Sequence, residues 1–195
     1  RPIEYLPIAA IATIGDSVSL SGENRNIVAA GMEHISDSQW TGLHKLMSSA
    51  GLKPPLSVRN IAFGLVPRIN AAGRMGSGER ALRLLLSEDD QDAERLAEEL
   101  SEENRNRQVL ESRIASEAIL PESIKTKARD AVVISVGTGW HHGVVGIVAS
   151  RLTEKFNKPA IVFAYEEDGV TVRGSARSVP GFNIHKALTG CRLCL

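Results

Sequence analysis

Four clusters in this 195-residue chain have the residue types and spacing to handle a charged ligand. The first is a single carboxylate, Asp16, directly after Gly15 at the end of the apolar run Ile8 to Ile14. A carboxylate leaving a buried segment there is carried on rigid backbone and can meet a ligand; the plainer reading is an aspartate that ends a helix. The second cluster is Pro67-Arg-Ile-Asn-Ala-Ala-Gly-Arg74. Arg68 and Arg74 bracket small residues, and the planar guanidinium fork matches phosphate oxygens. The same letters also describe a packed turn whose arginines pair with carboxylates.

Gly139-Trp-His-His-Gly143 is the third cluster. Adjacent histidines on a loop point in different directions, and neither an i, i+4 histidine pair nor a nearby cysteine supports zinc. A glycine-rich loop entering a helix is better suited to an anion or a stacked base, and Trp140 fits a core position equally well. The fourth is Arg173-Gly-Ser-Ala-Arg-Ser178, on or just after a strand. Strand alternation puts Ser175 and Arg177 on one face, where a hydroxyl and a guanidinium can grip phosphate together; a polar edge strand is the alternative. Together the clusters place anion-binding groups in two lobes. They imply a phosphate-bearing ligand held in a cleft between the lobes.

The elements that must position these groups change character along the chain. Ile8 to Ile14, Asn24 to Ile35 and Asp37 to Ala50 read as helices, followed by a break at Gly51 and Pro54-Pro55. Val58 to Val66 is helix-like and runs into Pro67; Arg68 to Arg74 reads as a small-residue turn, and Glu79 to Leu86 as a further helix. Asp89 to Ile119 contains no Gly or Pro and is dense in Glu, Arg, Leu and Ala. Its thin apolar stripe, Leu96, Ala97, Leu100, Leu110 and Ile114, is interrupted by Asn104 and Arg107, which suits a long exposed helix bridging two lobes. The period then switches. Ala131 to Val136, Ala160 to Ala164 and Val170 to Gly174 read as strands, with helices at Val144 to Phe156 and from Ile184 to Leu188. The fold class expected is α/β: a helical lobe, a helical connector and an α/β lobe.

Composition narrows the function. With 43% hydrophobic and 24% charged residues the chain is globular rather than disordered or collagen-like. No apolar run approaches the roughly 18 residues of a membrane span. Two cysteines, Cys191 and Cys194, fit a reducing compartment such as the cytoplasm. The net charge of zero hides a division: residues 1–80 carry +2, residues 81–120 carry −6 and residues 121–195 carry +4. An acidic middle separates two mildly basic ends, as either a solvated acidic helix or a connector between two surfaces that face a polyanion.

Gly139-Trp-His-His-Gly-Val-Val-Gly-Ile-Val-Ala-Ser-Arg151, followed by Gly174-Ser-Ala-Arg-Ser178, resembles the RecJ-type single-strand-specific DNA exonucleases of the DHH phosphoesterase superfamily. Pro67 to Arg74 extends the resemblance, and Ala12-Thr-Ile-Gly-Asp-Ser-Val18 is similar to the last metal-ligand motif of the DHH domain. The motifs fall in family order and span nearly the whole chain. The Trp-His-x-Gly-Val-x-Gly-Ile segment resembles the RecJ branch rather than phosphoesterases acting on very short oligonucleotides or cyclic dinucleotides. The family's earlier Asp-x-Asp and Asp-His-His motifs are not among these residues, nor is its later glycine-rich histidine motif. His141 and His142 follow Trp140 and are not that triplet. The resemblance therefore implies an internal fragment: residues 1–87 the C-terminal part of a DHH domain, 88–120 a connecting helix, and 121–195 a DHHA1 domain truncated at its C-terminus.

Carried over by resemblance, Asp16 is a ligand to one of two divalent cations, Mn2+ or Mg2+, whose activated water attacks the phosphodiester. Arg74, with Arg68 as the second choice, stabilises charge on the scissile phosphate. His141 contacts the substrate near the cleavage site. Ser175 and Arg177 bind the 5′ phosphate, and Trp140 packs beneath its loop or stacks on a base. The implied function is 5′-to-3′ hydrolysis of single-stranded DNA in repair and recombination. The implied protein is a monomer, with a helicase or single-strand-binding protein as candidate partners. Two other readings stay open: a nucleic-acid-binding module, because one carboxylate cannot hold two metals, and a regulatory relative of the same fold without catalysis.

Overall fold

The structure, a computed structural model, describes residues 2–16 and 18–191, so Ser17 of the Asp16 motif and Cys194 lie outside the described residues. The chain divides into two compact units, Arg1–Asn106 and Arg107–Leu195. Among the described residues, no helix is long and apolar enough to cross a membrane.

The first unit is helical. Helix α1 (Leu6–Gly15) begins with Pro7 in its first turn, where a missing N–H goes unnoticed, and buries Ala10, Ile11 and Ile14. It lies directly on α2 (Gly22–His34) at Gly31, where a Cβ would stand 2.4 Å from both the Ala10 methyl and the Leu6 carbonyl oxygen. Helix α3 (Thr41–Ser49) starts four residues later than the sequence suggests, because Asp37 is in a turn. The core gathers Ile11, Ile35, Leu43, Leu46, Leu65 and Leu84 with the first half of the long helix described below.

One expectation fails here. Arg68 to Arg74 is not a turn but part of helix α5 (Val66–Met75). Pro67 sits in the first turn of α5, where it needs no N–H partner. Ahead of it, the short α4 (Val58–Asn60) runs into a π-helical turn at Ile61–Leu65. That widening relieves the clash a proline ring makes with the carbonyl four residues before it. Proline thus marks a new first turn rather than the end of helical structure. Helix α6 (Glu79–Leu86) follows as expected.

Helix α7 (Asp90–Glu117) crosses the division between the units. It was expected to be largely exposed, yet one stripe is buried along its length: Ala93, Leu96, Leu100, Asn104, Arg107, Glu111 and Ile114. The polar residues do not interrupt this stripe; they continue it. Arg107 Nη1 donates to Glu111 Oε2 at 2.5 Å one turn on, so both charges go inside as a pair.

The second unit is α/β. Strands β1 (Val133–Gly137) and β2 (Ala160–Tyr165) run parallel, with Val133 opposite Ala160, and α8 (His142–Phe156) makes the crossover. Strand β3 (Val172–Arg177) returns antiparallel to β2, giving the order β1-β2-β3, and α9 (Ile184–Gly190) follows. Asp168 builds the β2–β3 turn: its Oδ1 accepts the N–H groups of Val170 and Thr171 at 2.9 and 2.8 Å. Ser135, fully buried in β1, donates its hydroxyl to the Ala118 carbonyl at 2.8 Å, tying the chain just beyond α7 to the sheet.

Candidate functional site

In the first unit, Asp16 caps the C-terminus of α1, its N–H on the Ala12 carbonyl at 2.9 Å and its carboxylate exposed. It borders a cavity of about 620 Å³ that Thr13, Asn24, Val66 and Asn70 also line. Gly15 packs closely at this edge: a Cβ there would stand 3.3 Å from the Val66 methyls. Asn70 and Arg74 are one turn apart on α5 and share a face, so exposed Arg74 continues the polar side of the helix that borders the cavity. Among the described residues, no group of three or more His, Cys, Asp or Glu could hold a metal ion. Asp16 offers a carboxylate, the hard oxygen donor that a divalent cation prefers.

Arg68 belongs elsewhere. Its Nη1 donates to the Gly64 carbonyl at 2.6 Å and its Nε to Ser101 Oγ at 3.0 Å, and Ser101 in turn meets Ser49 Oγ at 2.9 Å. Burial, helped by the like charge of Arg105, pulls its pKa below the usual guanidinium value. This guanidinium closes the open ladder of the π turn onto α7. Of the two arginines, Arg74 is the one the fold presents to solvent.

In the second unit, the glycine-rich loop delivers His141 as the N-cap of α8. Its Nδ1 accepts the Gly143 N–H at 3.1 Å, and its carbonyl accepts from Val144 and Val145. With Nδ1 an acceptor, the neutral ring carries its proton on Nε2, which makes that nitrogen a donor suited to a phosphate oxygen. Trp140 is 4% exposed, with its indole N–H on Glu117 Oε2 at 2.7 Å. Its ring lies so close to Gly137 that a Cβ there would stand 2.2 Å from it. Packing beneath the loop is therefore its observed position; the ring face is not offered to a base. His142, one residue on, meets Glu166 Oε2 at 3.4 Å, and Arg173 Nε lies 3.0 Å from Glu166 Oε1.

Alternation along β3 does put Ser175 and Arg177 on one face. Arg177 Nη1 donates to Ser175 Oγ at 3.0 Å, and both side chains reach α8 where Gly146 leaves room. A Cβ on Gly146 would lie 3.1 Å from Ser175 Oγ and 3.2 Å from Arg177 Nη2. A hydroxyl and a guanidinium thus meet over a helix surface stripped of its side chain. The N-terminal dipole of α8 is of the same sign as the Arg177 charge and likewise favours an anion.

Residues 129–191 match the DHHA1 domain family. Over 98% of its length the chain is 42% identical to the single-stranded-DNA-specific exonuclease RecJ of Bacillus subtilis, of which it covers 24%. It is 35% identical over 95% of its length to RecJ of Escherichia coli, covering 33% of that protein. Among solved structures, RecJ of Thermus thermophilus in complex with Mg2+ superposes with a TM-score of 0.85 at 35% identity, over 98% of this chain and 29% of that one. An exonuclease RecJ bound to manganese gives 0.81 at 36%, over 96% and 46%. The chain is similar to the RecJ exonucleases over nearly its whole length, and it spans about a quarter to a third of the length of these two proteins.

Three contributors escaped the sequence reading. Asn70 was hidden among the small residues of its motif, and Gly146 passed as an ordinary helix residue. Glu117 is 23 residues from the tryptophan it holds, a separation that leaves no local pattern.

Proposed function

We propose that the protein carrying this chain is a single-strand-specific exodeoxyribonuclease that works 5′ to 3′ with Mn2+ or Mg2+ in DNA repair and recombination in the cytoplasm. The observation that carries the reading is the Ser175–Arg177 pair over Gly146 beside the His141-capped end of α8. Such a site suits a terminal phosphate, with a guanidinium for charge, a hydroxyl for direction and a glycine for close approach. The likeness to RecJ over nearly the whole chain supports the same substrate class.

In this reading the helical unit is the C-terminal part of a DHH domain. Asp16 gives one oxygen to a divalent cation; the described residues hold no group of three or more such donors to complete its shell. Such a cation, when bound, supplies an activated water and neutralises phosphate charge. Arg74 steadies the scissile phosphate, His141 donates from Nε2 to a neighbouring oxygen, and Ser175 with Arg177 fixes the 5′ end. A helicase or single-strand-binding protein would supply the strand to the monomeric enzyme. The want of a complete ligand set favours a narrower role for the chain by itself: binding nucleic acid without cutting it. In the whole protein, Asp16→Ala is expected to abolish nucleotide release from a labelled single strand while strand binding stays measurable. Undiminished turnover refutes the Asp16 assignment.

A further inference from the structure

The loop that delivers His141 is pinned from two sides. The Trp140 ring lies on Gly137 at the end of β1, and the Trp140 N–H is held by the carboxylate of Glu117 in the last turn of α7. The contact is local to the second unit, and at 2.7 Å to a carboxylate oxygen it is a charge-assisted bond. Arg113 stands beside the same carboxylate, its Nε 3.7 Å from Glu117 Oε1, so the acceptor oxygen Oε2 is left to the indole. Trp140 is joined directly to the residue that caps α8. A shift of the Trp140 backbone would therefore move His141 and the first N–H groups of α8, and the anchored indole holds that backbone in place.

We propose that Glu117 is a positioning residue for the nucleic-acid site. By holding the Trp140 indole it fixes the loop that orients His141 and the N-terminus of α8, without touching the ligand itself. The proposal rests on the DNA reading above and adds a residue that the sequence motifs do not contain.

The test uses the full chain with Trp40→Phe, which leaves Trp140 as the single indole. Glu117→Gln keeps an acceptor oxygen at this position, whereas Glu117→Leu keeps the bulk and removes it. Two quantities are read: the emission maximum of Trp140, and the affinity for a 5′-phosphorylated oligothymidylate. Glu117→Leu is expected to shift the emission and weaken binding roughly tenfold, the scale of one lost bond to a charged group. Glu117→Gln is expected to restore most of both. A Glu117→Leu protein that binds as tightly as its parent overturns the proposal, as does equal weakening in the Gln and Leu variants. Ser175→Ala with Arg177→Ala separates this from the reading beneath it. If that double variant loses affinity and Glu117→Leu does not, Glu117 has no positioning role and the DNA site stands. If neither loses affinity, both ideas fall.

Discussion

A methyl group placed on Gly146 would test the proposed phosphate site without removing any of its polar groups. In Gly146→Ala the new carbon would stand 3.1 Å from Ser175 Oγ and 3.2 Å from Arg177 Nη2. Comfortable contact is about 3.5 Å, so both groups must withdraw by about 0.3–0.4 Å. Each is the end of a rotatable side chain, which lets the backbone stay where it is. The helix gains about 0.8–1.0 kcal/mol from replacing an interior glycine by alanine. Crowding of this degree costs about 1 kcal/mol, so the two nearly cancel and thermal stability should move little. Binding has no such compensation. The methyl occupies the floor over which Ser175 and Arg177 meet, and a bond to a charged group is worth about 1.5–3 kcal/mol, so preference for a 5′-phosphorylated strand should fall about tenfold or more. Melting curves and fluorescence anisotropy, with and without the 5′ phosphate on one oligonucleotide, separate the effects. A Gly146→Ala protein with unchanged melting and an undiminished preference for the phosphorylated strand would refute the site. Equal weakening toward both strands would show that the glycine serves something other than phosphate.

The two arginines of the second cluster should part company: Arg68→Met is expected to destabilise the helical unit by about 1–3 kcal/mol through the Gly64 and Ser101 bonds. Arg74→Gln should leave melting within about 1 kcal/mol and weaken cleavage in the whole protein; the reverse pattern would exchange their roles. Glu111 accepts from Arg107 and pairs with Arg151, both at 2.5 Å, so Glu111→Leu strips a buried carboxylate from two guanidiniums. A loss of about 3 kcal/mol is expected in denaturant unfolding, and a loss below about 1 kcal/mol would mean the pair is not buried in solution. At the β2–β3 turn, the Thr171 hydroxyl and the Val170 and Thr171 N–H groups hold the Asp168 carboxyl below its ordinary value of 3.8. A depressed carboxylate stabilises fully above that value and stops doing so as pH falls through the lowered one. Protection of the Thr171 amide should drop on acidification below 3.8 and lose that dependence in Asp168→Ala. Protection that stays flat down to about pH 2 in the parent contradicts the turn chemistry.

What could be read from the letters, and what could not, follows the range of each interaction. The strands of the second unit were legible because β-branched runs and an Asp-Gly turn act over a few residues, and the facing of Ser175 and Arg177 needed only strand alternation. Proline punctuation misled at Pro67, because one residue type marks both a helix end and a first turn. What tells the two apart is the π turn at Ile61–Leu65 that leads into Pro67, with Ile61 and Leu65 buried. Asn104 and Arg107 looked like breaks in a stripe because periodicity counts apolar residues and cannot see that a charge goes inside with its partner one turn away.

The candidate site shows the same division more sharply. Its proposed contacting groups sit in short motifs, as with Ser175 and Arg177, two residues apart on one strand. The groups that aim them, Gly146 by yielding space and Glu117 by holding an indole, come from other elements and leave no trace in local spacing. Substituting a contacting group should therefore erase binding whatever surrounds it. Substituting an aiming group should yield graded losses that a conservative replacement restores, and that graded response is the signature by which the two kinds of residue are told apart.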